Sequence, residues 1–220
     1  MDIKEFYQIY APRYDLEYPY WEILYKEYSK WIEKFFPNKK SFNIIDLGCG
    51  TGLLSEMLIK NGHKVYGVDF STEMLKIARK RCTEENFTPI IENIKKMSFR
   101  ENSFDGCVCF DTLCLLPNLE NILKKIKIIC KNDSIILIDI EPKINFDFLW
   151  RLIGLYGKKE IKKAMKKFKT IEGAHEYSAR IDGIKNKSIP VFYRCPIYVE
   201  KLLENLGFSI IKKKGIHIST

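Results

Sequence analysis

The stretch NIIDLGCGTGLLSEML at residues 43–58 constrains the fold more than any other part of the chain. It joins a short apolar run to an amphipathic segment through three evenly spaced glycines, Gly48, Gly50 and Gly52. This order predicts a buried strand, a tight turn and a helix. Ligands of parallel α/β sheets bind beyond the carboxyl ends of the strands, so the pattern also predicts a nucleotide-type site at this turn.

The segments after residue 41 alternate between strand-like and helix-like patterns. Strands are predicted at 42–47, 64–70, 87–91, 104–110 and 134–140, and helices at 52–62, 71–82, 119–130 and 196–206, with one or two closing strands after them. The alternation favours an α/β fold of the Rossmann-like type: a doubly wound, mostly parallel sheet with helices on both faces.

Three parts are expected along the chain. Residues 1–40 are rich in aromatic residues and predict an N-terminal helical arm. Residues 41–141 and 196–220 predict the Rossmann-like core. Residues 142–195 predict an insertion of two helices and a hairpin, with strands at 175–181 and 188–194, that forms a lid over the site.

Composition narrows the class of protein. The net charge of +9 would suit a nucleic-acid partner, but arginine, which grips phosphate through two donors, is scarce among the 37 basic residues. The seven cysteines have no C-x-x-C spacing, which argues against a zinc site and a disulfide framework. We recognise no secretory signal and no apolar run long enough for a bilayer, and therefore expect a cytoplasmic protein with no membrane partner and no metal.

Two acids indicate the chemistry of the ligand. A dinucleotide fingerprint needs a third glycine at position 53, where this chain has Leu53, and no lysine follows as in a phosphate-binding loop. Asp46 would repel a pyrophosphate in a poorly hydrated cleft and would suit a cation. Asp69 ends the second strand, where a carboxylate binds ribose hydroxyls. Adenosine with a cationic amino-acid tail and no phosphates describes S-adenosylmethionine.

The chain resembles the class I S-adenosylmethionine-dependent methyltransferases, in the broad group that modifies small molecules. Four motifs carry the resemblance: IIDLGCGTG at 44–52, VYGVDFSTEMLKIAR at 65–79, NIKKMSFRENSFD at 93–105 and LLENLGF at 202–208. The resemblance implies a monomer or homodimer that uses S-adenosylmethionine to methylate a small-molecule or peptide acceptor.

The resemblance implies a set of cofactor-binding residues: Tyr14, Asp46, Gly48, Cys49, Gly50, Gly52, Asp69, Phe70, Met74, Asn93, Ile94 and Asp111. Asp46 and the glycine turn would hold the amino-acid end, Asp69 the ribose hydroxyls, and Phe70 would lie against the adenine. Asn93 stands where the family often has Asp, and its carbonyl oxygen would accept a hydrogen bond from the adenine amino group. Asp111 would lie beside the sulfonium and the acceptor.

The acceptor side is expected to come from the arm and the lid. The arm sequence FYQIYAPRYD is similar to the Y-D-x-x-A-x-x-Y-D entry of the group, with Gln8 in place of the first Asp, and this implies that Tyr7 and Tyr14 close over the cofactor. The candidate acceptor-binding residues are Tyr7, Tyr14, Tyr177, Arg180, Tyr193 and Arg194. Arginines in the hairpin would favour an acceptor that bears a carboxylate.

Candidate catalytic residues are His175 in the predicted lid, Glu141 after the fifth strand, and Asp111. Histidine can remove a proton from an amine or a hydroxyl near neutral pH. Many family members carry a histidine shortly after the fourth strand, where this chain has Cys114, so a base at that position is in doubt. His63 follows a helix-ending glycine and is expected to be solvated.

Several functions remain open from the sequence. The first is N- or O-methylation of a small molecule, and the second is methylation of a peptide, at a terminal carboxylate or amine, or of RNA. The third is a cofactor-binding scaffold without catalysis, against which the intact Asp46 and Asp69 argue. Leu53 and Asp46 argue against a nicotinamide oxidoreductase.

Overall fold

A computed structural model describes residues 2–17, 21–82, 85–140, 172–177, 189–194 and 196–213. The helices are α1 Ile3–Tyr10, α2 Tyr14–Glu17, α3 Trp21–Phe35, α4 Leu53–Lys60, α5 Thr72–Arg81, α6 Leu119–Ile129 and α7 Pro196–Asn205. The strands are β1 Asn43–Leu47, β2 Lys64–Asp69, β3 Phe87–Ile91, β4 Phe104–Cys109, β5 Cys130–Ile138, β6 Glu172–Tyr177 and β7 Ile189–Arg194.

The first five strands form one parallel sheet in the order β3-β2-β1-β4-β5. The central strand β1 pairs with β2 on one side and with β4 on the other, so the chain order reverses next to β1. Such a reversal opens a crevice at the carboxyl ends of the strands. The predicted α/β fold with a doubly wound parallel sheet is therefore confirmed.

The core occupies both faces of the sheet because side chains alternate along each strand. On β1, Ile45 and Leu47 belong to a cluster that includes residues of α6 and α7. Ile44, on the opposite face of β1, belongs to a second cluster with residues of α3 and α4. Cys107 is fully buried in the first cluster, as expected for a core residue of β4.

The structure differs from the predicted strands most clearly at β5, in the closing strands and in the hairpin. Strand β5 begins at Cys130, four residues before the prediction, because Cys130 pairs with Phe104 across an irregularity in the β4–β5 register. The predicted closing strands after α7 are not formed within residues 208–213, and residues 214–220 lie outside the described part. The hairpin is formed by β6 and β7, and its first strand begins at Glu172.

The expectation that His63 is solvated is wrong. Its side chain is fully buried, and Nε2 lies 2.8 Å from the carbonyl oxygen of Phe36. The rings of Phe36 and Phe42 flank it, with centroids at 6.2 and 5.3 Å. Burial lowers the pKa of His63, so the neutral imidazole joins α3 to the start of β2.

Gly106 lets the end of α3 pack directly on the sheet. A Cβ atom added there would lie 2.3 Å from Phe36 Cε1, well inside van der Waals contact. Phe36 is fully buried in the cluster of α3 and α4, so its ring has little room to move.

We therefore expect Gly106→Ala to lower the free energy of unfolding by about 1–3 kcal/mol, through overpacking against Phe36. In a Phe36→Leu background the same substitution should cost less, because the shorter side chain leaves room for the methyl group. Urea titrations of the four proteins of this double-mutant cycle measure both effects.

Gly207→Ala provides the matched control for this cycle. Gly207 has a φ of +77°, and an added Cβ there would meet the flexible end of Lys127. Its cost comes from backbone strain and should be the same with Phe36 or Leu at position 36. Equal costs of Gly106→Ala in both backgrounds would show that Phe36 is not the cause.

Candidate functional site

The glycine loop turns sharply at the carboxyl end of β1. Gly48, Gly50 and Gly52 all have positive φ, at 77°, 52° and 81°, a region that favours glycine. At Gly48 an added Cβ would lie 2.1 Å from the Thr112 hydroxyl oxygen, so this position also excludes a side chain by contact. The amides of Gly48 and Cys49 donate to the carbonyl oxygen of Val68, which ties the loop to the end of β2.

Asp69, the last residue of β2, organises the loop from the neighbouring strand. Its Oδ2 accepts from the Gly50 amide at 3.0 Å, and its Oδ1 accepts from the Ser71 amide at 2.7 Å. Burial raises the pKa of Asp69 to about 6, although the amides of Ser71, Gly50 and Phe70 act in the opposite direction. Each carboxylate oxygen has a second lone pair and can accept from a further donor.

Asp46 lies one residue before the end of β1 and is almost completely buried. The Ser55 hydroxyl of α4 donates to its Oδ2 at 2.6 Å. Burial raises the pKa of Asp46 to about 7; the Ser55 hydrogen bond lowers it, and the charge of Asp69 raises it further. Two buried carboxylates at one sheet edge are stabilised in their charged form by a cation and destabilised by an anion. The edge therefore fits a cationic ligand.

The residues after β2 and β3 complete the same edge. Ser71 caps α5 by accepting from the amide of Met74, whose side chain is buried. The amide of Glu92, after β3, donates to the carbonyl oxygen of Asp69. Asn93 is exposed, and its side-chain oxygen accepts from the Lys95 amide at 3.0 Å, while Ile94 is buried. Asn93 and Ile94 therefore follow a residue that is hydrogen-bonded to the end of β2, and their contacts with a cofactor stay predictions.

Asp111 follows β4 in a left-handed conformation, with φ at 52°. Its amide donates to both carboxylate oxygens of Asp139, at 2.9 and 3.0 Å. Its own Oδ2 accepts from the Tyr14 hydroxyl of the arm at 3.4 Å. The Asp111 carboxylate therefore meets the arm at the carboxyl end of β4, next to the glycine loop.

Asp139 and Tyr28 support Asp111 and were not predicted as site residues. The Tyr28 hydroxyl donates to Asp139 Oδ2 at 3.0 Å, and its ring stacks on Phe110 with centroids 4.2 Å apart. The position of Asp139 directly after an apolar strand was a usable signal, since Asp69 was predicted on the same ground. Tyr28 comes from α3, and no local pattern connects it to β5.

The arm packs over the carboxyl ends of the strands, and several of its contacts there are between aromatic rings. The ring of Tyr7 meets Phe70 edge-on at 6.1 Å and Tyr14 at 6.4 Å between centroids. Tyr10 packs edge-on against Tyr14 at 5.8 Å. The Gln8 amide donates to the Thr72 hydroxyl at 3.3 Å, so the residue that replaces the usual Asp also faces α5.

A cluster of three polar residues joins the arm to the glycine loop: Asp15, Thr51 and Arg81. It was not predicted from the sequence. Asp15 of the arm accepts from the Thr51 hydroxyl at 2.7 Å and from Arg81 Nη2 at 2.6 Å. Arg81 Nη1 also donates to the carbonyl and hydroxyl oxygens of Thr51. Asp15 stands in the arm motif, but its partners lie 36 and 66 residues away.

Arg194 is buried, whereas Tyr7 and Tyr14 of the arm are half-buried. Its guanidinium donates to the carbonyl oxygens of Leu113 and Leu116, in the turn that follows Asp111. Cys114, in the same turn, is also buried. These contacts favour an anchoring role for Arg194, and its binding of an acceptor stays a prediction.

Three of the remaining predicted residues lie on the hairpin strands, and two are outside the described part of the chain. His175 and Tyr177 lie on β6, opposite Val191 and Ile189, and Tyr193 lies on β7 opposite Gly173. Glu141 and Arg180 lie outside the described residues. The catalytic and acceptor-binding roles of these five residues stay predictions.

Across the described ranges, no group of His, Cys, Asp and Glu residues is arranged to hold a metal ion. Within the same ranges, no helix is both long enough and apolar enough to cross a bilayer.

The sequence matches a methyltransferase family model and several relatives. A family model described as a methyltransferase domain matches residues 45–138, the part that contains β1 to β5. Protein MJ1252 of Methanocaldococcus jannaschii is 30% identical over 224 residues, which span 100% of this chain and 81% of that protein. The ubiquinone biosynthesis O-methyltransferase of Actinobacillus pleuropneumoniae is 28% identical over 61% of this chain and 57% of its own length. The chain thus spans little more than half of that enzyme.

Solved structures share the fold at low sequence identity. The DhpI–SAM–HEP complex superposes with a TM-score of 0.65 at 15% identity, over 92% of this chain and 86% of that one. The 1,6-didemethyltoxoflavin-N1-methyltransferase of Burkholderia thailandensis gives a TM-score of 0.63 at 13% identity, over 95% and 79%. With a glycine loop between two buried acids and relatives of this kind, the chain belongs to the class I S-adenosylmethionine-dependent methyltransferase family.

Proposed function

We propose that the protein transfers the methyl group of S-adenosylmethionine to a nitrogen or oxygen atom of a small-molecule acceptor. The observation that carries this proposal is the closure of the arm over the sheet edge, with Tyr14 at Asp111 and Tyr7 at Phe70. A covered site admits a small molecule more readily than a folded macromolecule or an RNA duplex. A peptide acceptor is the alternative.

The names of similar proteins support a small acceptor. One sequence relative is a ubiquinone biosynthesis O-methyltransferase, and one structural neighbour was solved with bound 1,6-didemethyltoxoflavin. Both names refer to small molecules rather than to macromolecules. They differ in the methylated atom, and the proposal accordingly covers both nitrogen and oxygen.

The residues at the edge suit the parts of S-adenosylmethionine. Asp46, buried and bonded to Ser55, would hold the ammonium of the amino-acid end together with the glycine loop. Asp69 would accept from the ribose hydroxyls with the lone pairs that Gly50 and Ser71 do not use. Phe70 would pack against the adenine, with Asn93 and Ile94 beside it.

When bound, S-adenosylmethionine supplies a methyl group on a cationic sulfur, and the leaving thioether needs no proton. The task of the chain is therefore to align the acceptor, and alignment alone can contribute roughly 7–11 kcal/mol. Asp111 and the Tyr14 hydroxyl, which are hydrogen-bonded to each other, would bind the acceptor group. Asp139 holds Asp111 in place for this role, because both of its carboxylate oxygens accept from the Asp111 amide. His175 and Glu141 are the proposed bases for an acceptor that carries a proton.

Replacing Asp69 with Asn should weaken S-adenosylmethionine binding about tenfold or more, because a charged acceptor of two hydroxyl hydrogen bonds becomes neutral. Isothermal titration calorimetry measures the change. Asp105→Asn is the matched control because it removes the same charge. Asp105 lies near the start of β4, at the amino ends of the strands and away from the proposed cofactor site. Equal affinities of the Asp69→Asn protein and wild type would contradict the proposed ribose contact.

Binding of S-adenosylmethionine should strengthen as pH rises from about 5.5 to about 7.5, by roughly tenfold or more. The pKa of Asp46 is about 7 without a cation, and an ammonium beside it favours the ionised form and lowers that pKa. Binding therefore releases about one proton near pH 6. Titrations in two buffers of different ionisation enthalpy measure the proton release.

Asp46→Asn is the control for this linkage, because an amide oxygen still accepts from Ser55 but does not titrate. Its binding should be weaker at neutral pH, and the proton release that comes from Asp46 should be lost, whereas release from Asp69, whose pKa is about 6, should remain. A wild-type protein that binds equally well across this pH range would show that Asp46 does not face the ammonium.

The acceptor class is tested with methyl-labelled S-adenosylmethionine and a host extract separated into small molecules, peptides with proteins, and RNA. We expect label in the small-molecule fraction, and about tenfold less or lower still with the Asp69→Asn protein at limiting cofactor. Label in the peptide or RNA fraction instead would overturn the small-molecule proposal.

A further inference from the structure

We propose that Asp15 and Arg81 form a latch that holds the arm closed over the cofactor, which makes Arg81 a positioning residue for cofactor retention. The proposal rests on the function proposed above, in which the arm covers bound S-adenosylmethionine. The latch is defined by Asp15 of α2, Thr51 of the glycine loop and Arg81 at the end of α5.

Arg81 uses its planar fork on two different parts of the chain. Nη2 donates to Asp15 Oδ2 at 2.6 Å, and Nη1 donates to the carbonyl oxygen of Thr51 at 3.0 Å and to its hydroxyl at 3.1 Å. The fork therefore fixes the distance between the arm and the glycine loop. Lysine has a single compact charge and could not make both sets of contacts in one geometry.

Thr51 connects the latch to the cofactor site. It is buried and lies between Gly50, which is bonded to Asp69, and Gly52. Its hydroxyl donates to Asp15 Oδ1 at 2.7 Å while its carbonyl accepts from Arg81. The arm thus closes on the same loop that would hold the amino-acid end of the cofactor.

The latch contains the shortest hydrogen bonds described between the arm and the core. Asp15 takes part in two short bonds that involve its charge, at 2.6 and 2.7 Å, whereas the Gln8–Thr72 and Tyr14–Asp111 bonds measure 3.3 and 3.4 Å. Hydrogen bonds with an ionised partner are roughly twice as strong as neutral ones. Since Asp15 follows Tyr14 directly, its bonds also hold Tyr14 at Asp111.

The latch is partly accessible to solvent. The side chains of Arg81 and Asp15 are 21% and 27% exposed, so water can replace each partner when the arm moves away. Opening gives the cofactor and its product a path to solvent. Weakening the latch should therefore speed dissociation of S-adenosylhomocysteine without disturbing the sheet.

The test compares Arg81→Gln and Asp15→Asn with wild type, using stopped-flow dissociation of S-adenosylhomocysteine and trypsin cleavage after Arg13, an exposed arm residue. Both variants should release the ligand about tenfold faster and be cleaved about tenfold faster without ligand. Bound ligand should slow cleavage of wild type more than of the variants. Arg81→Lys should fall between wild type and Arg81→Gln because it keeps the charge but not the fork.

Lys76→Gln is the matched control. Lys76 pairs with Glu73 at 2.7 Å on the same helix as Arg81, but both partners lie within α5. Its loss should change neither ligand dissociation nor cleavage of the arm. A thermal unfolding curve of each variant reports any general loss of stability, which the latch does not require.

Each outcome separates the latch from the function on which it rests. Faster cleavage with unchanged ligand dissociation would overturn the role in cofactor retention, because the arm would then open without releasing the ligand. A lower melting temperature with both rates unchanged would reduce the latch to a stabilising contact and overturn the proposal. Wild-type protein that binds neither S-adenosylmethionine nor S-adenosylhomocysteine would overturn the proposed function itself.

Discussion

The carboxylate of Asp69 holds the site together. One oxygen accepts from the Gly50 amide of the loop after β1, and the other accepts from the Ser71 amide at the start of α5. The ends of two neighbouring strands are thereby joined by a single buried charge. Burying a carboxylate is costly, and the raised pKa of Asp69 records that cost. The two amides offset part of it, and a ligand with hydroxyl donors would offset more.

Asp139 joins the ends of β4 and β5 in a similar way. Asp139, after β5, accepts from the amide of Asp111, after β4, and so holds Asp111 in a left-handed conformation that rarely suits a residue with a side chain. Tyr28 of α3 completes the support. Acids at or next to the ends of four strands, β1, β2, β4 and β5, thus lie at one edge of the sheet. The arm contacts this edge through Tyr14 at Asp111 and through Asp15 at Thr51 of the glycine loop.

The pattern of apolar runs was sufficient to predict the five strands of the sheet, because fully buried parallel strands need continuous apolar side chains. The acids at strand ends could be predicted for Asp46 and Asp69, which stand beside a glycine loop with a known geometry. The burial of His63 could not be predicted, since its partners Phe36 and Phe42 come from a segment more than twenty residues earlier. The burial of Arg194 could not be predicted for a similar reason: its carbonyl partners lie about eighty residues away.

The sequence alone determined the fold class, the position of the ligand edge and the preference for a cation without phosphates. These follow from local patterns: strand and helix periodicity, three glycines, and carboxylates that would repel a pyrophosphate. Only the tertiary structure decided which distant side chains support the edge, namely Asp139 under Asp111, and Arg81 with Thr51 at Asp15. Hydrogen bonds and ion pairs act over a few ångströms in space, and no periodicity in the chain records which residues folding brings to that distance.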